Sequence, residues 1–168
     1  MSADATSCLW PEDGENFFRE KGFQPVQQSA NHCVAASLAI LTGETEKHFQ
    51  GKVNTQNPVS WSDALREWDM KLAYCPTDAR KLEHYMKELV RHDDLFALSY
   101  YTQLDPAEIL GEPDGSGWIT GSHIVILHRD QILDPAQGTS TKASDHSCRE
   151  RHTKRIFRVV PADHARGL

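Results

Sequence analysis

Gln27-Gln28-Ser29-Ala30-Asn31-His32-Cys33-Val34-Ala35-Ala36-Ser37-Leu38-Ala39-Ile40-Leu41-Thr42-Gly43 is the stretch whose reading decides the fold. From Cys33 to Leu41 only Ser37 is polar, and its side chain is small. A helix apolar on nearly every side belongs inside a domain rather than on its surface. Ala, Leu and Ile sustain the helix, and Gly43 supplies a left-handed stop. The sequence therefore predicts one short buried helix with a cysteine in its first turn. N–H groups at a helix start favour an anion, so a thiol there is biased toward thiolate. The plainer reading of a lone cysteine is a small buried apolar residue. What the rest of the chain brings to Cys33 decides between the two.

Length and composition set the frame. At 168 residues, 39% hydrophobic and 25% charged, the chain suits a single domain, 1–168, with 1–22 readable as a loosely ordered N-terminal extension. Net charge is −6, and the basic residues gather only in Arg149–Arg155, a segment interrupted by Glu150 that reads as a solvated approach to a strand. That balance disfavours nucleic acid as a partner. No apolar stretch approaches the ~20 residues that cross a bilayer, and Met1–Cys8 lacks the basic-then-apolar pattern of a secretory signal. The four cysteines, at 8, 33, 75 and 148, form no C-x-x-C pair, so no disulfide is expected. The expected location is the cytoplasm, or delivery into a host or target cell by a route without a signal peptide.

Around the buried helix, Glu15–Lys21 reads as a short helix and Phe23-Gln24-Pro25-Val26 as extended chain. Residues 51–58 read as a loop, Ser60-Trp61-Ser62-Asp63 as the capped start of the next helix, and Met70–Cys75 as a short strand. Thr77 or Asp78 is expected to cap a helix whose Leu82, Tyr85, Met86, Leu89 and Val90 form one apolar stripe. Phe96–Tyr101 is a strand, Asp105-Pro106 opens a helix ended by Gly111, and Glu112–Gly117 is a loop. The character then turns to β: 118–120, 123–128 and 131–134, the last two joined by a tight turn at Arg129-Asp130. Pro135–Gly138 breaks the sheet, and a polar loop leads to the final strand, Arg155–Val160. The fold class is α+β, with an N-terminal helical half packed on a C-terminal antiparallel sheet.

His123 and Asp134 stand out in that second half. If a turn of two or four residues joins their strands, cross-strand partners have an odd index sum, and 123 plus 134 is odd. The two side chains then share a face, with Cβ atoms roughly 5–8 Å apart. A carboxylate so placed fixes the imidazole tautomer and turns the second ring nitrogen outward, toward a thiol. Cys33, His123 and Asp134 thus form a candidate nucleophile, base and orienter. Taken singly, His123 is as readily a core histidine and Asp134 before Pro135 a turn former. His32, His84, His128 and His146 read as mostly solvated. His146, Cys148 and His152 have a spacing that matches no standard zinc pattern, so no metal is expected.

Together these motifs resemble the papain-like cysteine peptidases, nearest to the small bacterial branch with double-glycine leader peptidases and effector peptidases delivered into host cells. The resemblance rests on Gln27-Gln28…Cys33-Val34-Ala35-Ala36-Ser37-Leu38, on His123-Ile124-Val125-Ile126, and on Ile132-Leu133-Asp134-Pro135-Ala136-Gln137-Gly138, in the family's order. It covers about a quarter of the chain, and residues 44–117 add nothing to it. Val34 stands where that group usually has Gly or Trp, and Gly121-Ser122 precedes the histidine where glycine usually adjoins it. The resemblance implies a papain-like fold in which Cys33 attacks a carbonyl carbon, His123 manages protons and Asp134 orients His123. It also implies that Gln27, or Gln28 after a one-residue offset, donates to the oxyanion beside the N–H of Cys33. No cofactor is implied, and the partner is a protein or peptide substrate. Peptide-bond hydrolysis is the first expectation. A glutamine deamidase or transglutaminase-like effector, using the same triad, is the second. A catalytically silent protein-binding module is the third.

Overall fold

The computed structural model describes residues 9–11, 14–102 and 121–168. The expected helix after Asp105, the loop 112–117, the strand 118–120 and Cys8 lie outside them. Six strands form one antiparallel sheet, all but the polar edge strand carrying buried apolar residues. They are β1 (Met70–Cys75), β2 (Leu95–Tyr101), β3 (Ser122–His128), β4 (Gln131–Asp134), β5 (Thr139–Lys142) and β6 (Thr153–Pro161), in the order β1-β6-β2-β3-β4-β5. The last strand therefore lies between the first two, pairing Leu72 with Val159 on one side and Ala97 with Phe157 on the other.

Alternation sends the strand residues to two separate cores. On one face Ala97, Ile124, Ile126, Leu133, Phe157 and Val159 meet α1 (Cys33–Thr42) and α3 (Pro58–Leu65). On the other, Phe96, Leu98, Val125, Leu127 and Ile156 meet α4 (Glu83–His92), through Tyr85, Met86 and Leu89. The short α2 (Glu46–Phe49) adds Phe49 to the first core. Residues Val34–Leu41 of α1 are all buried, as the near-uniform apolar run requires, and Gly43 closes the helix at φ 80° with its N–H on the Ala39 carbonyl. Ser37, the single polar residue of the run, donates to the Ile124 carbonyl at 3.4 Å and so fastens α1 to β3.

Several local expectations change. Glu15–Lys21 forms no helix; Asp94 holds it instead, accepting the N–H groups of Phe17 and Phe18 at 2.8 Å each. The α3 cap is Asn57, which accepts from the Val59 N–H with Pro58 in the first turn, so the helix starts two residues before Ser60. Asp78 caps nothing: it accepts from the Tyr85 hydroxyl at 2.8 Å, and α4 starts at Glu83 without a side-chain cap. The segment after Gly138, expected as loop, makes β5, an exposed polar edge strand paired with β4. The N-terminal residues Leu9 and Trp10 are buried against the α4 core.

Beneath them lies a fully buried ion pair. Arg158 donates to Asp94 at 2.7 Å and to the Glu15 carbonyl, with both ion-pair side chains wholly out of solvent. The guanidinium lies 4.9 Å from the Trp10 ring centroid and 5.1 Å from that of Phe17, so aromatic faces take over part of the role of water.

Candidate active site

The β3–β4 hairpin turns at Arg129-Asp130, with Arg129 at φ 61°, and pairs Ile126 with Leu133 and His128 with Gln131. Every pair sums to an odd number, so Asp134 falls diagonally from His123 on the same face. The side chains meet: His123 Nε2 donates to Asp134 Oδ1 at 2.8 Å. This bond uses one ring nitrogen and leaves Nδ1 outside it, with the Cys33 thiol near enough to act on the charge of the ring. Cys33 opens α1, whose second turn is tied to β3 through Ser37, and this brings sulfur and ring to the same end of the sheet. Cys33 is half-buried, whereas Cys75 and Cys148 are buried. Burial pushes both of those thiols up to about 12, so neither offers a thiolate at neutral pH.

Asp134 is only 3% exposed, yet donors surround its carboxylate. Oδ1 takes both His123 and the Ala136 N–H (2.9 Å), and Oδ2 takes His146 Nε2 at 2.8 Å. Burial opposes the charge, but the two imidazole bonds and the backbone bond outweigh it and hold the carboxyl far below its usual range. For His123, burial likewise opposes the charge. The Asp134 bond, the Cys33 thiol and the Asp134 charge overcome that opposition and raise the imidazole to about 9. Tyr100, opposite His123 on β2, sets its ring edge-on to the imidazole at 5.7 Å. Burial, then the Asp134 charge, pushes its phenol up, which keeps it neutral beside the pair.

His146 reverses the solvated reading. It is 5% exposed, and its Nδ1 accepts the N–H of Cys148 at 2.9 Å. Of the other histidines read as solvated, His128 is half-buried with Nε2 beside the Phe18 and Arg19 carbonyls, while His32 is exposed beside Ser29. His152 turns away to the Ala79 carbonyl, so the three residues weighed as zinc ligands are not joined. Among the described residues no group of three or more His, Cys, Asp or Glu is placed to hold a metal ion.

The two glutamines hold the lead-in to α1. Gln27 donates its side-chain amide to the carbonyls of Ala136 (2.9 Å) and Pro135 (3.3 Å), and the Gln28 N–H donates to Pro135 at 2.8 Å. The residues before Cys33 are thereby laced to the turn that follows Asp134. Gln28 Nε2 donates to the Ala30 carbonyl at 2.8 Å, and its Oε1 is buried without a partner. Gly138 sits at φ +67°, and a Cβ there would lie 2.6 Å from Gln27 Oε1. No side chain caps α1, and its first turn holds no acid, so no side chain competes there for its N–H groups. Lys154, which sequence reasoning passed over, is half-buried with Nζ 3.3 Å from Ser122 Oγ, near enough for the charge of Cys33 to act on it.

No family model matches the chain, and no curated protein matches it. Among solved structures it is similar to the peptidase domain of Streptococcus ComA, a bifunctional ABC transporter of a quorum-sensing pathway. The TM-score is 0.48 at 13% identity, over 83% of this chain and 99% of that one. No helix among the described residues is long and apolar enough to cross a membrane.

Proposed function

We propose that this protein is a papain-like, thiol-dependent acyl-transfer hydrolase that cleaves a peptide bond through Cys33, His123 and Asp134. The observation that supports this reading is the imidazole of His123, which gives Nε2 to a buried carboxylate while a half-buried thiol at a helix start lies near enough to raise it. In the reaction, Cys33 Sγ attacks the carbonyl carbon and a C–S bond forms. His123 carries the proton and passes it to the departing amine as the C–N bond breaks. Water, deprotonated by His123, then attacks the thioester and releases the acid and the thiol. The developing oxyanion takes the N–H of Cys33 and a side-chain amide. Gln27 fills that role once its amide leaves the carbonyls of 135 and 136; Gln28 is the alternative. Losing the working glutamine should cost about 10²–10³ in kcat, so Gln27→Ala and Gln28→Ala tell the two apart.

The test is labelling with an epoxide or vinyl-sulfone probe, comparing wild type with Cys33→Ala. Label on Cys33 that disappears in the variant is the expected result. An unlabelled Cys33 in folded protein overturns the reading. Mass spectrometry of candidate protein substrates then separates cleavage from glutamine deamidation, which leaves the chain whole and about one mass unit heavier.

A further inference from the structure

We propose that His146 is a positioning residue of this site, fixing the Asp134 carboxylate so that His123 faces the thiol; the inference rests on the hydrolase reading above. A backbone N–H can only donate, so the Cys148 N–H on His146 Nδ1 makes that nitrogen an acceptor and places the ring proton on Nε2. His146 therefore donates to Asp134 Oδ2, just as His123 donates to Oδ1. The carboxylate is held between two imidazole donors, both at 2.8 Å, with the Ala136 N–H completing Oδ1. Neither oxygen can turn without breaking one of these bonds. His146 itself caps the short turn Ser147–Glu150, which packs against α4, so the carboxylate plane is referred to a part of the chain remote from Cys33.

The arrangement also explains why this position carries Asp and not Asn. Two ring N–H groups point at the two ends of the carboxylate, and an amide would turn its own N–H toward one of them. A carboxylate alone accepts on both sides.

The experiment measures the rate of iodoacetamide alkylation at Cys33, by peptide mapping, against pH. Wild type should show a plateau reaching well below the pKa of an ordinary thiol. His146→Leu should narrow that plateau from both sides and lower the rate at pH 6 by about tenfold, a size familiar for partners that orient a working side chain. His146→Gln keeps a donor toward Oδ2 and an acceptor toward Cys148, and should restore the profile. In an Asp134→Ala background, His146→Leu should change nothing further, since its effect travels through Asp134. If His146→Leu does not fold, ring-nitrogen NMR of the wild type still decides. A proton on Nε2 of His146 at pH 8 supports the proposal, and one on Nδ1 overturns it. A wild-type plateau with folded His146→Leu unchanged, widened, or matched by His146→Gln overturns this inference alone. An ordinary thiol titration in the wild type removes the hydrolase reading and the inference with it.

Discussion

Two buried carboxylates, Asp94 just before β2 and Asp134 at the end of β4, solve the same problem in different ways. Asp94 takes a guanidinium and two backbone N–H groups, none of which gives up a proton near neutrality. Asp134 takes two imidazoles and one backbone N–H. Burial is nearly equal; the partners differ. A carboxylate neutralised by arginine can only hold the chain together, and here it fastens the N-terminal segment to β6. One neutralised by histidine sits next to a group that can pass a proton, and here a thiol lies near enough to act on that group. The contrast shows that burial of a charge carries little functional information until its counter-ion is named.

The comparison can be broken most directly at Arg158. Arg158→Ala should lower stability by about 3–5 kcal/mol, because Asp94 stays behind buried and unpaired. Urea denaturation measures it, and alkylation of Cys33 per folded molecule should be unchanged. Loss of alkylation in folded Arg158→Ala would show that the two carboxylates are not independent.

His123→Ala should act the other way round. Losing the imidazole removes the cation beside the thiol, so alkylation of Cys33 at pH 6.5 should slow by about tenfold or more. Asp134→Ala should slow it less, since the imidazole remains. Equal loss of folded protein in both variants, seen by circular dichroism, would mark the two as structural positions.

The pH dependence sharpens the contrast further. The folded pKa of His123 lies above its unfolded value, so its contribution to stability is complete below about pH 6.5 and fades as pH rises through about 9. Asp134 has the opposite sign: its carboxyl is depressed, and its contribution is lost as pH falls below the usual carboxylate range. The stability difference between wild type and His123→Ala should therefore shrink between neutrality and pH 9, as thermal unfolding across that range would show. A difference that grows over the same range refutes the assignment.

The smallest effect is expected at the turn. Gly138→Ala should cost about 1–2 kcal/mol from its left-handed φ and must displace Gln27. If Gln27 is the working amide, alkylation should stay near wild type while kcat on any peptide substrate changes.

How far the sequence reached follows from the kind of constraint each residue obeys. The α1 helix was legible because nine consecutive positions leave no polar face, and burial followed. The His123–Asp134 contact was legible because a two-residue turn fixes register, and parity then fixes the face. His146 obeys no such rule. It reaches Asp134 from a stretch of irregular turns after β5, where neither period nor register links indices, so no partner for it is evident in the sequence. Asp78 and Asn57 show a further limit: both are good capping residues, and only the local backbone decides that Asn57 caps while Asp78 binds Tyr85. Strand β5 was missed because Thr139–Lys142 is an edge with little to bury.

The position of β6 has a consequence for biosynthesis. β1 and β2 become neighbours only through β6, and Asp94 gains its cation only when residue 158 is present. While the ribosome is still translating the earlier codons, the nascent chain therefore carries an uncompensated acid and two unjoined strands. A chain stopped at residue 152 should be digested readily under limited proteolysis, while the whole chain resists. Reactive chemistry at Cys33 should accordingly follow the pairing of β6 with β1 and β2.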